Sequence, residues 1–292
     1  MDPIPTPKAR PTGLRPIPAK PERSAESFEL ERYYADIQQD LLIQGLLRKD
    51  GGGPDVRFGK RELVTNFVRI AMFDEFQPSG GQMMAKEREN RLRRWNQPVR
   101  MNIEFGASVS KTIQFQDRQF IEAFANRLSR VTGLPIRQSS SNPNFHVLVL
   151  NENDRRTVGP TLRQLLPGVS DRSIRTIVNM PRSIQCLVVA RSGSAQDLGT
   201  QTAIAVVRAE HPTLLRQSCY HEELAQGLGL TNDSDAARPS IFNDDDEFAY
   251  LTTHDELLLR ILYDPRLRSG MTLKQVVPTV EVIAAEFFGG GT

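Results

Sequence analysis

The sequence predicts an α+β fold in which several short strands are followed by a long helix, a loop and a last helix. Short stretches rich in valine and isoleucine alternate with amphipathic helical stretches through the centre of the chain. Residues 219–263 then have the pattern of a helix, a glycine turn, a polar loop and a second helix. With 292 residues, the chain is long enough for one large domain or two small ones.

Charge and hydropathy exclude several classes of protein. The formal net charge is +2, which gives no general argument for binding nucleic acid or an anionic membrane. No apolar run reaches the roughly 18 residues that a membrane helix needs. The N-terminal residues lack the apolar core of a signal peptide, so we expect a soluble protein without an export signal in the sequence as written.

The first part of the chain divides into a tail and a helical region. Residues 1–24 are rich in proline and poor in large apolar groups, so we expect a disordered tail. Residues 25–95 form the expected N-terminal helical region. Apolar spacing predicts helices over 27–48 and 60–76, and the mixed charges of 86–94 predict a solvated helix face.

Residues 96–265 form the expected main domain. Residues 99–105 alternate between apolar and polar, which predicts a half-buried strand. An apolar stripe predicts a helix over 117–132 with Gly133 as its C-cap. Residues 144–150 predict a strand in which His146 is an ordinary strand residue. A polar insertion with two short helical pieces, 162–166 and 174–178, follows.

The second half of this domain contains two predicted strands followed by two predicted helices. Residues 184–190 and 203–207 predict buried strands. Pro212 suits the first turn of the next helix, and Gly227 and Gly229 end that helix. Residues 253–256 predict a capping box for the last helix of the domain, and Asp264-Pro265 ends it. The C-terminal extension, residues 266–292, holds one more apolar segment at 276–288.

The two cysteines, Cys186 and Cys219, have no metal-type spacing. They form either a disulfide or two buried thiols. A disulfide would indicate an oxidising compartment.

Three polar side chains share the helix after Pro212. Glu222 and Gln226 stand four residues apart and therefore face the same way, and Glu223 lies about 100° around the helix from Glu222. This is the geometry by which HExxH helices place two zinc-binding histidines and a general-base glutamate.

These residues resemble the HELxHxLGL motif of metzincin metallopeptidases, the matrixin branch especially, through EELAQGLGL at 222–230. PSIF at 239–242 stands where that group has its Ser-Ile-Met turn, and 251–263 resembles the matrixin terminal helix. The resemblance implies a twisted zincin-type sheet with an active-site-type helix, preceded here by extra N-terminal helices.

The chain more closely resembles the bacterial domain-of-unknown-function family numbered 2927. The stretches that carry this resemblance are 34–50, 219–235 and 238–271. It implies a protein of the bacterial periplasm or cell envelope, often with an export or lipoprotein signal, and it implies no activity. The sequence shows no such signal, so a cytoplasmic location also stays open.

Transferred residue by residue, the metzincin pattern places the general base at Glu223 and the Met-turn position at Phe242. The three zinc-ligand positions hold Glu222, Gln226 and Asn232, so every histidine ligand is replaced. Zinc favours imidazole and thiolate, and we therefore expect no zinc. A one-residue shift that uses His221 as a ligand would put Ala225 at the second ligand position, and alanine cannot coordinate a metal.

The sequence leaves more than one function open. We expect a non-catalytic envelope protein whose former substrate cleft binds a peptide or protein partner, without nucleic acid. The alternative is an atypical metal-dependent peptidase with Glu223 as base, its metal held by oxygen donors of Glu222, Gln226, Asn232 and Asp233. A third class is a scaffold tethered through its proline-rich tail. The sequence names no substrate, partner or oligomeric state.

Overall fold

The computed structural model describes residues 22–79, 82–193 and 198–289. The predicted tail therefore lies almost wholly outside the described residues. The helices within them are α1 (Ala25–Ile43), α2 (Lys60–Met72), α3 (Lys111–Thr132), α4 (Glu152–Thr157), α5 (Gly159–Leu165), α6 (Asp171–Val178), α7 (Thr213–Gly227), α8 (Thr253–Leu262) and α9 (Leu273–Phe288). The strands are β1 (Phe73–Ser79), β2 (Gln82–Glu89), β3 (Val99–Phe105), β4 (Ile136–Gln138), β5 (Phe145–Leu150), β6 (Cys186–Ser192) and β7 (Thr200–Arg208).

A five-stranded sheet with the order β4-β3-β5-β7-β6 organises the fold. Strands β4, β3, β5 and β7 are parallel, and β6 pairs antiparallel with β7 at one edge. Strands β1 and β2 form a separate antiparallel hairpin. The chain is thus an α+β protein, as the alternation of strand and helix patterns predicts.

Both faces of the sheet are covered, because the side chains of a strand alternate between its faces. On β5, Val147 and Val149 point into the main core, which also contains buried residues of α2, α3, α7, α8 and α9. Leu148 and Leu150 point to the opposite face and pack in a smaller core with α5 and α6. The continuous apolar run of β5 therefore follows from burial on both sides.

The structure confirms several helices and strands of the central region. Helix α3 carries the predicted apolar stripe and ends at Gly133, whose φ of 69° is the left-handed value that favours glycine at a C-cap. Strands β3, β5, β6 and β7 lie where the alternating or apolar runs predict them. His146 is a buried strand residue whose Nδ1 lies 3.2 Å from Glu104 Oε1.

The structure confirms a helix from residue 60 but corrects its C-terminal end, and it corrects the predicted element that follows. The helix expected over 60–76 ends at Met72, because Phe73 already has an extended backbone and begins β1. The stretch 86–94, expected as a solvated helix face, contributes its first residues to β2 instead. The hairpin supplies cross-strand hydrogen bonds from Phe73↔Glu89 onwards, and this pairing overrides the helical preference of the charged residues.

Three further boundaries differ from the expectation. The polar insertion contains three short helices, α4 to α6, rather than two. Pro212 is the N-cap residue of α7 and not part of its first turn. The capping box of α8 is one residue earlier than predicted, because Thr252 Oγ1 accepts from the Asp255 amide and the Asp255 carboxylate accepts from the Thr252 amide.

Helix α1 packs against the segment that leads into α7. Its Ser27 hydroxyl donates to the buried Glu210 carboxylate at 2.6 Å, and the Tyr34 ring meets His211 edge-on at 4.3 Å between centroids. Within residues 22–79, 82–193 and 198–289, no helix combines the length and apolar character needed to cross a bilayer.

Candidate functional site

A buried ion pair fixes α7 to α3. Arg216 donates from Nε and Nη2 to the two oxygens of Asp117, at 2.7 and 3.1 Å, and the Tyr220 hydroxyl donates to the same carboxylate at 2.7 Å. All three side chains are buried. Burial raises the pKa of Tyr220 well above its usual value, so the phenol keeps its proton. This contact sets the rotation of α7 and hence the direction of the residues that follow.

The two glycines of the motif are required by close contacts. A Cβ on Gly227 would lie 2.5 Å from the ring of Phe145 on β5. Gly229 has a φ of 125°, and a Cβ there would lie 2.3 Å from the carbonyl oxygen of Arg93. The sequence Gly227-Leu-Gly229 therefore turns the chain where α7 ends against the sheet.

Glu222, Glu223 and Cys186 converge where β6 approaches α7. Ligand atoms of these three residues all lie within 4.8 Å of one another. Glu223 is 2% exposed, whereas Glu222 and Cys186 are half-buried. Glu222 Oε2 lies 3.9 Å from the sulfur of Cys186. Glu223, the predicted general base, is thus buried next to Glu222, the first predicted ligand position. Solvent reaches this cluster at Glu222, which is only half-buried.

The cysteines are paired, which resolves the choice between a disulfide and two thiols. Cys186 at the start of β6 is bonded to Cys219 on α7, with an S–S distance of 2.00 Å. The sulfur of Cys219 also lies 3.7 Å from Nδ1 of the buried His211. The disulfide joins the edge strand of the sheet to the motif helix.

The remaining predicted ligand positions face different partners. Gln226 Nε2 donates to Asp233 Oδ1 at 3.3 Å, whereas Asn232 Nδ2 donates to the carbonyl oxygen of Arg69 on α2 at 3.2 Å. One carboxylate and two amides are a poor donor set for zinc, which prefers imidazole and thiolate. The set Glu222, Gln226 and Asn232 does not fit a zinc ion.

His221 faces away from the carboxylates, on the α3 side of α7. Its ring stacks on Phe124 with centroids 3.7 Å apart and on Tyr250 with centroids 4.7 Å apart. Its Nδ1 accepts a 2.8 Å hydrogen bond from the Leu251 amide. Burial, with a smaller contribution from Arg127, lowers the pKa of His221 to about 3. The imidazole is neutral and holds α7 to the segment before α8.

The segment at the predicted Met-turn is anchored on Asp255. Ser240 Oγ and the Ile241 amide donate to the two oxygens of this fully buried carboxylate, at 2.6 and 3.1 Å. The peptide bond before Pro239 is cis. Phe242, at the Met-turn position, is fully buried in the main core, and its carbonyl oxygen accepts from the Ser234 amide. A large apolar side chain therefore occupies this position.

In the acidic run 244–247 that follows this turn, Glu247 is held by two arginines. Glu247 accepts from Arg238 and from Arg48, and these contacts lower its pKa, with Arg238 as the main cause. Burial and neighbouring carboxylates raise the pKa values of Asp244 and Asp246. The run pairs with the loop after α1 and adds no ligand to the cluster of Cys186, Glu222 and Glu223.

Sequence reasoning missed two residues that build this site. Asp117 was treated only as the start of a helix, and Asp255 only as part of a capping box. A signal for Asp255 was present, because a threonine three residues before an aspartate is typical of a helix N-terminus with a capping box. The aspartate carboxylate of such a box can also accept hydrogen bonds from other donors. No local signal identifies Asp117, whose partners Arg216 and Tyr220 are about a hundred residues away in sequence.

The fold and the site define an α+β protein with a mostly parallel sheet, a disulfide-linked edge strand and two adjacent carboxylates on the helix behind it. The profile of a protein family of unknown function, DUF2927, matches residues 60–282. The chain belongs to the DUF2927 family. No curated protein and no solved structure matches the chain.

Proposed function

We propose that this chain is a metzincin-like, non-catalytic protein of the bacterial cell envelope that binds an extended peptide segment of a partner. The observation that carries the proposal is the free edge of β6. This strand ends the sheet, pairs only with β7 among the described strands, and is at most half-buried. An exposed edge of this kind can accept a further strand.

The order of the elements supports the metzincin-like part of the proposal. Parallel strands precede an antiparallel edge strand, β6, and the motif helix α7 directly follows β7. A buried turn at Ser240 and a terminal helix, α8, complete the domain. We infer from this order that the domain is metzincin-like and that its former substrate cleft lies beside α7, next to the free edge of β6.

The surface beside β6 also has a chemical preference. Cys186 and Val188 face the main core on the α7 side, and Ala190, two residues further on the same face, is exposed. Glu222 contributes a half-exposed carboxylate nearby. An extended peptide with a small apolar residue and a Lys or Arg two residues away would match these groups.

Two observations support a non-catalytic role and an envelope location. The positions expected to hold zinc carry a carboxylate and two amides, of which Asn232 is hydrogen-bonded to α2. Without a metal at these positions, Glu223 would have no polarised water to deprotonate. The disulfide between Cys186 and Cys219 favours an oxidising compartment such as the periplasm.

The competing function is a metal-dependent peptidase with Glu223 as base, and the closeness of the Glu222 and Glu223 carboxylates supports it. The two functions differ in what happens to a bound peptide. A binding protein releases the peptide intact, whereas a peptidase cuts it and loses activity in the Glu223→Ala variant.

The test is selection of a displayed library of random twelve-residue peptides on the oxidised protein, followed by fluorescence anisotropy with the selected peptides. We expect Ala190→Trp and Glu222→Lys to weaken binding by about tenfold or more, since one adds a bulky ring to the proposed binding surface and the other reverses its charge. Arg137→Trp, on the opposite edge strand β4, is the matched control and should bind normally. Mass spectrometry should recover the peptides intact.

Three results would contradict the proposal. The library could yield no specific peptide, Ala190→Trp could bind as well as Arg137→Trp, or the bound peptides could be cut in a Glu223-dependent manner. The last result would establish the peptidase.

A further inference from the structure

We propose that Cys186, Glu222 and Glu223 form a thiol-dependent binding site for a zinc-like divalent cation, which becomes available when the disulfide to Cys219 is reduced. This site differs from the pattern implied by the metzincin resemblance, because its thiolate comes from the edge strand and Gln226 and Asn232 take no part. It does not depend on the peptide-binding role.

The first argument is proximity. In the described parts of the chain, these three residues are the group of His, Cys, Asp or Glu whose ligand atoms come within 4.8 Å of one another. The distance from Cys186 Sγ to Glu222 Oε2 is 3.9 Å. In a tetrahedral zinc site, metal–sulfur and metal–oxygen bonds of about 2.3 and 2.1 Å put sulfur and oxygen about 3.6 Å apart. Small side-chain rotations would bring the three ligand atoms around one ion.

The second argument is the chemistry of the donors. A thiolate with two carboxylates supplies three anionic ligands, and zinc and cobalt accept both sulfur and oxygen. Glu223 is buried and therefore held in place, whereas Glu222 and Cys186 are half-buried and leave a route for the ion. A water molecule could complete the coordination from the same side.

The third argument is that the disulfide controls one ligand. A sulfur in a disulfide is not a thiolate and is a weak metal ligand. The oxidised protein therefore offers a cation only the two carboxylates. Reduction by a dithiol transfers two electrons to the Cys186–Cys219 bond. Each cysteine sulfur takes up one proton and the dithiol becomes a cyclic disulfide. When the cation binds, the Cys186 thiol releases its proton to solvent.

Cys219 has a different environment and is not expected to be a ligand. It is 2% exposed on α7, and its sulfur lies beside His211 Nδ1. The two single-cysteine variants therefore separate metal binding from loss of the disulfide. Both Cys219→Ser and Cys186→Ser lack the disulfide, but only Cys219→Ser keeps the proposed ligand.

The experiment is an anaerobic titration of the full chain with Co²⁺ alone, followed by the thiolate-to-cobalt absorption in the near ultraviolet. We expect one equivalent bound, with this absorption, in Cys219→Ser and in wild-type protein that has been reduced with a dithiol and then freed of it. The oxidised wild type and Cys186→Ser should lack the absorption. Adding Glu222→Gln to Cys219→Ser should weaken binding by about tenfold or more, since one ligand is lost.

The reduced wild type keeps the test decisive if Cys219→Ser does not fold. Equal cobalt absorption in the two single-cysteine variants would overturn the proposal. So would its absence from reduced, folded wild-type protein, or an affinity that Glu222→Gln leaves unchanged.

Discussion

Ser240 Oγ donates a 2.6 Å hydrogen bond to Asp255 Oδ1, and this contact ties the turn after Pro239 to the first turn of α8. The other oxygen of the same buried carboxylate accepts from the Ile241 amide and from Thr252. The turn after Pro239 and the N-cap of α8 thus share one anchor, the carboxylate of Asp255.

Loss of this carboxylate should destabilise the protein strongly. The Asp255→Asn variant replaces one acceptor oxygen with an NH₂ group, which places a donor against other donors in a buried site. We expect the free energy of unfolding to fall by about 2–4 kcal/mol in urea denaturation. Asp235→Asn, at an exposed position of the same segment, is the control and should change it by less than about 0.5 kcal/mol. Similar losses in both variants would contradict the anchoring role.

His221 should make stability depend on acidity. Its pKa is about 3 in the folded protein and near 6.5 when unfolded, so the unfolded state binds more protons between these values. Stability is therefore lost as pH falls from 6.5 towards 3. The loss due to this residue at pH 4 should be about 3 kcal/mol.

The variant His221→Asn checks this linkage. Its side-chain oxygen can replace Nδ1 as the acceptor for the Leu251 amide, but it does not titrate. We expect lower stability at pH 7, because the ring stacking is lost, and a smaller fall between pH 7 and pH 4. His211, whose pKa burial also lowers, still contributes to the remaining fall. An unchanged difference between the two pH values would show that His221 is not the titrating group.

The two motif glycines should respond differently to alanine. Gly229→Ala forces a Cβ against the Arg93 carbonyl oxygen at a positive φ, and backbone cannot move aside easily. Gly227→Ala meets only the Phe145 ring, for which we expect a loss of about 1–3 kcal/mol. Gly45→Ala has a positive φ of 78° but open space, so it measures backbone strain alone, about 1 kcal/mol. Thermal melting should rank Gly229→Ala as the least stable of the three.

The disulfide should stabilise the fold through the unfolded chain. It closes a loop with a sequence separation of 33 residues, for which the chain-entropy estimate is about 3–4 kcal/mol. The Cys186→Ser/Cys219→Ser variant should lose this amount in urea denaturation. A dithiol should destabilise the wild type to the same level and leave the double variant unchanged. An effect of the dithiol on the double variant would indicate another cause.

Much of the fold was predictable because its determinants are local. The apolar stripe of α3 and the left-handed Gly133 are read directly from spacing, and β5 and β7 from continuous apolar runs. The C-terminal end of the helix expected over 60–76 and the helix face expected over 86–94 were wrong. Both depend on the pairing between β1 and β2, which the charge pattern does not encode.

The candidate site was less predictable because it depends on contacts between residues that are far apart in the sequence. The spacing of Glu222, Glu223 and Gln226 defines which helix face each occupies, but not what lies opposite. Cys186 reaches Glu222 only because β6 folds back antiparallel to β7 beside α7. The direction of Asn232 depends on α2, more than 150 residues earlier. The sequence therefore left the cysteine pairing and the donor partners open.

The measurement that tests the central claim most directly is amide hydrogen exchange of the oxidised protein with and without a selected peptide. A peptide that pairs with the edge strand should slow exchange within 186–192, where outward amides become hydrogen-bonded, while the opposite edge strand at 136–138 stays unchanged. That result would support a peptide-binding surface at β6. Binding with no protection in 186–192, or with protection confined to other elements, would contradict it.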